Sequence, residues 1–370
     1  MKIFGLLSKL TFHGRTVTDP DTGGVFFNWT CGGFTVAFSG KTLRARLAVL
    51  GDELPAPPGS PPSPTCYPCI GVVADGDDTL LNRQECRENG GWYTLWESEE
   101  PREHVLRLIK LSENSRGKLG LLELETDGAI LQAPPERKPY IEMVGDSITC
   151  GFGNEAANND TVFRTSEENG WMTYGALAAR ELGCGFGMVS ESGISAIQPE
   201  KPMFPIHTMD EIYHLTDELF DRRRGVEAQS FDFKAHPNDV VVINLGTNDC
   251  TPIRFCPDFA LVDGMEAHFR KKYKDFISYV RRCNGPDTYI ACTLGSMDYY
   301  LWEHIQAAVE EYRAETGDER ICSFKMRPIN VMTEGFGAMG HPSLKTNLRM
   351  GKELAQRLRE HIPFLEKKED

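Results

Sequence analysis

The sequence predicts two domains of different fold class, an all-β sandwich followed by an α/β domain with a parallel sheet. Up to about residue 130, apolar and polar residues alternate with the period of two that half-buried strands show. After Pro139, short apolar runs alternate with amphipathic helical segments, which is the pattern of a parallel sheet with helices on both faces. A proline-rich break at 132–139 separates the two patterns and predicts a linker there.

Composition agrees with globular domains and excludes several functions. The chain has 370 residues, of which 40% are hydrophobic and 25% charged, and its net charge is −14. A length of this order favours two domains. An acidic chain repels polyanions on average, so neither nucleic acid nor an anionic membrane is expected as a partner. No apolar run reaches the roughly 18 residues that a membrane span requires.

The first domain is predicted to comprise residues 1–131. Its alternating segments are followed by Asp-Gly turns at 75–76 and 127–128, and no long helical period interrupts them. These features favour an antiparallel sandwich of the jelly-roll kind. The predicted strands include the segments 34–38, 43–49, 91–98, 104–111 and 118–126.

A proline-rich stretch at 55–65 interrupts the first domain. Proline cannot donate the hydrogen bonds of a sheet ladder, so this stretch is predicted to be an exposed loop inserted between strands. A ligand for a proline-recognising domain is the alternative interpretation.

The second domain is predicted to comprise residues 140–370. Thr208 and Glu211 form a capping box before one helix, and Ser343 precedes the last, amphipathic helix. Ligands of such folds bind beyond the carboxyl ends of the strands, so chemistry is expected there. The five predicted strands are 140–144, 186–190, 240–245, 289–294 and 321–326.

Four short motifs fall on loops at this edge. Gly145-Asp-Ser147 ends the first strand and presents a serine hydroxyl where a nucleophile is accessible. Gly193 and Asn248 follow the second and third strands and offer a backbone N–H and a side-chain amide to an oxyanion. His341 precedes the last helix and is the candidate base. Each residue alone is typical of a turn, but their conjunction favours a catalytic site.

In this order the motifs resemble the four blocks of the SGNH (GDSL) hydrolases. The run from Val144 to Glu155, with a β-sandwich ahead of it, is similar to carbohydrate esterase family two, and the segments 72–76 and 110–113 resemble the jelly-roll domain of that family. The resemblance covers nearly the whole chain. It implies removal of O-acetyl groups from acetylated oligosaccharides of the mannan or xylan type, often at the hexose 6-position, without a metal. Acetyl transfer to another sugar hydroxyl is a further outcome of the same chemistry.

By that resemblance Ser147 is the nucleophile and His341 the general base. The backbone N–H groups of Ser147 and Gly193 and the amide of Asn248 are the implied oxyanion hole. Preorganised donors of this kind contribute about 3 to 4 kcal/mol each in comparable enzymes.

The chain departs from the SGNH pattern before the histidine. The usual aspartate three residues earlier is Ala338 here. We therefore expect a Ser-His dyad in which a main-chain carbonyl of the 335–339 loop orients the imidazole of His341 and selects its tautomer. Glu334 is the alternative orienter.

Three residues are candidates for substrate contacts. Sugar sites are commonly walled by aromatic faces with a few polar groups, which favours Phe152, Asn154 and Trp302 on segments that can reach the sheet edge. Trp171 shares a helical face with Tyr174 and is predicted to be buried in a helix.

No cofactor is expected. Cys66 and Cys69 form a C-x-x-C motif that suits a zinc or redox site, but no second pair accompanies it. Phosphate-loop, dinucleotide and H-E-x-x-H patterns are missing. The 11 cysteines are an odd number spread through apolar segments, which favours free thiols. Together with the lack of a recognisable signal peptide, this predicts a cytoplasmic enzyme acting on imported oligosaccharides.

Two other functions remain open. Loss of the aspartate is also compatible with a decayed site in a glycan-binding protein, and the same scaffold also carries lipid and thioester hydrolases. The joint presence of Ser147, Asn248 and His341 favours the carbohydrate esterase. The sequence does not predict the polysaccharide, the acetyl position or the oligomeric state.

Overall fold

The computed structural model describes residues 5–53, 64–159, 163–199 and 207–366. The chain forms two compact units. Unit 1 contains residues 1–136, 164–171 and 216–229, and unit 2 contains residues 137–163, 172–215 and 230–370. A single boundary at 132–139 therefore does not describe the segments 164–171 and 216–229, which follow that boundary in sequence but belong to unit 1. Of the predicted proline-rich loop, 55–63 lies outside the described residues.

Unit 1 is built on antiparallel strands. The strands are β1 (Thr11–His13), β2 (Val17–Thr18), β3 (Val25–Phe26), β4 (Gly33–Leu50), β5 (Asp52–Glu53), β6 (Thr65–Cys66), β7 (Cys69–Ala74), β8 (Asp77–Glu85), β9 (Gly91–Lys110), β10 (Lys118–Thr126) and β11 (Ala129–Leu131). Nine of them form one sheet with the order β2-β3-β10-β4-β9-β7-β8, in which β1 and β11 also pair with β4. The other two, β5 and β6, form a separate two-stranded ladder.

The side of the long strand β4 that is buried changes halfway along the strand. Val36 and Phe38 are buried before the change, and Leu43 and Leu47 are buried after it. The pairing with β9 shifts in register between Gly40 and Thr42 and again after Leu43, and such bulges turn alternate residues to the other face. Both halves of β4 pack into one hydrophobic core, as the β-sandwich class predicts. The predicted strands 91–98 and 104–111 are one continuous strand, β9.

The segment 216–229 is held in unit 1 by buried polar contacts. The carboxylate of Asp217 accepts hydrogen bonds from the amides of Asn28 at 2.6 Å and Asn114 at 2.8 Å. The indole N–H of Trp29 donates to the carbonyl of Thr216 at 2.8 Å. Buried polar groups require partners, so these contacts specify the position of the segment.

Unit 2 contains the predicted five-stranded parallel sheet, in the order β13-β12-β14-β15-β16. The first strand of the unit, β12, lies between β13 and β14. The strand that follows β12 in sequence is added on one side of it and the later strands on the other, which makes the β12–β14 edge a topological switch point. The crevice beyond the carboxyl ends of β12 and β14 is where such sheets bind ligands. The strands are β12 (Tyr140–Gly145), β13 (Gly185–Ser190), β14 (Val240–Asn244), β15 (Tyr289–Leu294) and β16 (Ile321–Lys325).

The helices follow the predicted alternation with these strands, and the capping box of Thr208 and Glu211 is confirmed. Helices α2 and α9 pack against each other, as do α6 and α7. In the described ranges no helix is both long and apolar enough to cross a membrane. The helices are α1 (Ser147–Cys150), α2 (Tyr174–Glu181), α3 (Met209–Ile212), α4 (Glu218–Arg224, in unit 1), α5 (Cys250–Arg254), α6 (Val262–Asn284), α7 (Trp302–Thr316), α8 (Val331–Glu334) and α9 (Leu344–His361).

Candidate active site

Ser147 begins α1 at the carboxyl end of the inner strand β12. Asp146, between strand and helix, caps α1 by accepting the N–H of Ile148 at 3.0 Å. The turn into α1 is tight, because a Cβ on Gly145 would lie 2.0 Å from the hydroxyl oxygen of Thr149. Only glycine fits at this position, and the close turn places the serine directly at the sheet edge.

The structure brings Ser147 and His341 together. Nε2 of His341 lies 2.9 Å from Oγ of Ser147, and Nδ1 lies 3.1 Å from the carbonyl oxygen of Ala338. A carbonyl oxygen only accepts hydrogen bonds, so this contact requires the proton on Nδ1. Nε2 then presents its lone pair to the serine hydroxyl, and this is the tautomer that a general base needs.

The carboxylate of Glu334 is held by other groups. It accepts hydrogen bonds from the guanidinium of Arg349 at 2.5 Å, the hydroxyl of Thr346 at 3.0 Å and the N–H of Asn330 at 3.0 Å. Burial acts to raise the pKa of Glu334, but these donors outweigh it and hold that pKa below its usual value. The described contact to the Nδ1 side of the imidazole comes from the Ala338 carbonyl instead, which lies in the predicted 335–339 loop.

The loop that carries the histidine is held by the segment that follows α1. The N–H of Ala338 donates to the carbonyl of Gly153 at 3.0 Å, and the N–H of Gly340 donates to Oδ1 of Asn159 at 2.6 Å. Gly153 has φ of +54°, and a Cβ there would lie 2.3 Å from the Cβ of Ala338. This glycine therefore permits both the left-handed turn and the close approach of the two loops.

The three predicted substrate contacts are buried in the structure. The ring of Phe152 is 7% exposed and packs against Phe163 at 4.3 Å and the imidazole of His341 at 4.5 Å between ring centroids. Asn154 and Trp302 are 1% and 8% exposed. Little of each side chain is therefore available to a sugar ring, and their part in substrate binding stays a prediction. Phe152 in particular restricts rotation of the imidazole ring.

Trp171 is buried, as predicted, but it lies on no long helix. It belongs to a short 3-10 turn, Gly170–Met172, and its indole N–H donates to the carbonyl of Asp78 within unit 1 at 2.9 Å. The predicted helix begins later, at Tyr174.

The three predicted oxyanion donors lie on loops that contact one another. Gly193 has φ of +86°, which favours glycine. Within the described ranges, the backbone N–H groups of Ser147 and Gly193 have no protein acceptor, so both can donate to a ligand. The amide of Asn248 donates to the carbonyl of Ile194 at 2.9 Å and lies 3.4 Å from the carboxylate of Asp146. It therefore links the serine turn to the glycine loop, and one of its two hydrogens would have to turn toward a ligand.

Two buried aspartates hold these loops and were not assigned from the sequence. Asp249 accepts the N–H groups of Ala196 at 2.9 Å and Ile197 at 3.2 Å and thereby fixes the loop after Gly193. Burial raises the pKa of Asp146 and of Asp249 to about 7 in each case. Their position in the Gly-Asp-Ser and Gly-Thr-Asn-Asp motifs was the signal that could have identified them.

The C-x-x-C motif does not have the environment of a reactive site. Cys66 and Cys69 are both buried. Burial raises the pKa of the Cys66 thiol and raises that of Cys69 to about 12. Thiolates are the form that binds metals and exchanges disulfides, so these thiols are protonated and poorly suited to either role at neutral pH.

A serine hydroxyl paired with an imidazole at the carboxyl edge of a doubly wound sheet is the arrangement that serine hydrolases of the α/β class use. Residues 141–368 match the family model described as GDSL-like Lipase/Acylhydrolase, and residues 12–135 match Carbohydrate esterase 2 N-terminal. The chain belongs to the GDSL-like lipase/acylhydrolase family and carries the N-terminal domain of carbohydrate esterase family two.

Three similar proteins illustrate the relationship. The cellulase/esterase CelE of Acetivibrio thermocellus is 32% identical over 267 residues, which are 70% of this chain and 30% of CelE. An acetylxylan esterase / glucomannan deacetylase of Cellvibrio japonicus is 28% identical over 223 residues, 59% of either protein. The chain thus matches less than two thirds of each of these relatives. A family two carbohydrate esterase from Clostridium thermocellum, solved in complex with cellohexaose, superposes with a TM-score of 0.79 at 26% identity, covering 96% of this chain and 99% of that one.

Proposed function

We propose that the protein is a carbohydrate acetyl esterase that removes O-acetyl groups from acetylated oligosaccharides of the mannan or xylan type. The observation that carries the proposal is the contact of 2.9 Å between Nε2 of His341 and Oγ of Ser147, with Nδ1 held on the Ala338 carbonyl. The family and the names of the relatives support a sugar ester as substrate, since one relative is an acetylxylan esterase / glucomannan deacetylase.

The proposed reaction has two steps. In the first, Oγ of Ser147 attacks the carbonyl carbon of the acetyl group while Nε2 of His341 takes the hydroxyl proton. The bond between the acetyl carbon and the sugar oxygen then breaks, Nε2 returns the proton to that oxygen, and acetyl-Ser147 remains. In the second, Nε2 takes a proton from water as the water oxygen attacks the acetyl carbon. The bond from that carbon to Oγ of Ser147 then breaks, Nε2 returns the proton to Oγ, and acetate leaves. A sugar hydroxyl in place of water gives transacetylation.

The negative charge of each tetrahedral intermediate is assigned to the N–H groups of Ser147 and Gly193, with the amide of Asn248 as third donor. Such donors contribute about 3 to 4 kcal/mol each in comparable hydrolases. The carbonyl of Ala338 keeps the tautomer of His341 correct, but being uncharged it stabilises the imidazolium less than a carboxylate would. We therefore propose a dyad with a modest turnover number.

Acetate release by the wild type and by Ser147→Ala tests the proposal. The substrates are p-nitrophenyl acetate and acetylated manno- and xylo-oligosaccharides, with NMR to identify the acetyl position removed. The proposal predicts loss of activity in the variant and a preference for the 6-position where one is present. Equal rates for the two proteins would contradict it, and sugar binding without turnover would favour the glycan-binding alternative. Faster cleavage of longer acyl chains would favour the lipid hydrolase.

A cytoplasmic location with imported oligosaccharides as substrates remains a proposal of its own. Cell fractionation tests it, because protein found in the culture supernatant without lysis would contradict it.

A further inference from the structure

Two phenylalanine rings of unit 2 are exposed to a degree that is unusual for apolar side chains. Phe255 directly follows α5 and is 74% exposed, and Phe259 is 85% exposed. With about 150 to 250 Å² of area for an aromatic side chain, the two together expose roughly 300 Å². This equals the largest apolar patch of many monomers, and such patches are often functional.

The position of α5 places Phe255 close to the candidate active site, and Phe259 follows Phe255 by four residues. Asn248 already belongs to the first turn of that helical segment, because the N–H of Thr251 donates to its carbonyl at 3.2 Å. Phe255 follows Asn248 by seven residues. At a rise of 1.5 Å per residue, helical geometry separates the two by about 10 Å along the axis. Phe255 therefore lies about 10 Å from Asn248 along this axis.

Tyr300, in the loop after the neighbouring strand β15, adds a third aromatic ring. The guanidinium of Arg254 lies 5.4 Å from the centroid of this ring and forms an ion pair with Asp298 at 2.7 Å. The hydroxyl of Tyr300 donates to the carboxylate of Glu266 at 2.6 Å. The end of α5 and the loop after β15 are thus tied together, and charged groups lie beside the ring. We call Phe255, Phe259 and Tyr300 the aromatic surface.

We propose that the aromatic surface binds the unacetylated sugar residues of an oligosaccharide whose acetyl group is at Ser147. A sugar ring has an apolar face of C–H groups, which packs on an aromatic ring, and an edge of hydroxyl groups, which suits neighbouring charged side chains. Phe255 follows Asn248 on the same helical segment, so one oligosaccharide can contact both the active site and this ring. This inference rests on the proposed function for its ligand, and it adds exposed aromatic residues to the buried Phe152 and Trp302 as candidates for sugar binding.

The test compares Phe255→Ala, Phe259→Ala and the double variant with the wild type on acetylated xylo-oligosaccharides of increasing length. Each substitution is expected to lower kcat/KM on the longest substrate about 3- to 10-fold, with no change on p-nitrophenyl acetate, which has no sugar chain. Phe255→Tyr retains a ring and is expected to retain the wild-type length dependence.

The matched control is Phe364→Ala. Phe364 is also an exposed phenylalanine, at 49%, but it packs beside Tyr289 at the amino end of β15, the opposite edge of the sheet. This variant is expected to match the wild type on every substrate. The proposal would be overturned if kcat/KM of the Phe255 and Phe259 variants fell equally on every substrate, or did not fall on the longest one. The proposal would also be overturned if the wild type self-associates and the double variant abolishes this association without changing how kcat/KM depends on substrate length.

A binding measurement separates this proposal from the proposed function. Calorimetric titration of Ser147→Ala with unacetylated xylohexaose and cellohexaose requires no turnover. Weaker binding after adding Phe255→Ala and Phe259→Ala supports the aromatic surface even if the wild type releases no acetate. Unchanged binding would overturn the surface while leaving the esterase proposal intact.

Discussion

Gly153→Ala is the substitution that tests most specifically how the imidazole is oriented. A Cβ at this position would lie 2.3 Å from the Cβ of Ala338, whereas carbon atoms in contact are about 3.5 to 4.0 Å apart. The Ala338 loop must therefore move by about 1 Å or more, and its carbonyl would move away from Nδ1 of His341. A misplacement of about 1 Å costs on the order of 100-fold in rate, so we expect kcat on p-nitrophenyl acetate to fall about 100-fold with KM little changed.

Gly183→Ala is the control for this variant. Gly183 also has a left-handed φ, +69°, but a Cβ there meets nothing within 4 Å. Both alanines incur the left-handed penalty of about 1 to 2 kcal/mol, which thermal unfolding measures, while only Gly153→Ala displaces the Ala338 carbonyl. Equal kcat values for the two variants would refute the reasoning, whether both were low or both matched the wild type.

Three further predictions concern the carboxylates and metal dependence. Glu334→Gln is expected to lower the free energy of unfolding by about 1 to 3 kcal/mol, because Arg349 loses one of its two carboxylate partners and keeps only Glu353. The variant is expected to keep kcat within about tenfold of the wild type; a loss of several orders of magnitude in a folded variant would mean that Glu334 orients the histidine. Burial raises the pKa of Asp249 to about 7, so the folded protein holds the carboxyl proton more tightly than the unfolded chain does. The stabilisation that this proton gives the folded state is therefore present at low pH and is lost as pH rises toward 7. Asp249→Asn should therefore be less destabilising at pH 8 than at pH 5 in thermal melts, and an equal effect at both would contradict the shift. Because the dyad needs no metal, dialysis against a chelator should leave the rate of acetate release unchanged, and a loss restored by a divalent cation would disprove this.

The sequence predicted those parts of the fold that local patterns determine. The five apolar runs of the parallel sheet and the capping box at Thr208 were predicted because the signal lies within a few neighbouring residues. The assignment of 216–229 to unit 1 depends on contacts such as that of Asp217 with Asn28, which are 189 residues apart in sequence. Periodicity carries no information about partners at that separation.

The pairing of Ser147 with His341 was predictable from the sequence, but the residues that support this pair were less so. Ser147 and His341 stand in short motifs, and the missing aspartate at Ala338 favoured a carbonyl orienter, with Glu334 as the alternative. The burial of Phe152 was not predictable, because a loop has no periodicity from which the direction of a side chain can be read. The closeness of Gly153 to Ala338 likewise depends on how two distant loops pack.

The most direct test of the central claim is rapid quenching of the enzyme during turnover of an acetylated xylo-oligosaccharide, followed by peptide mass spectrometry. The proposed mechanism predicts one acetyl group on the peptide that contains Ser147 in the wild type, less of it in His341→Ala, and none on that peptide in Ser147→Ala. Acetate release by the wild type without acetylation of this peptide, and at an equal rate in Ser147→Ala, would contradict it.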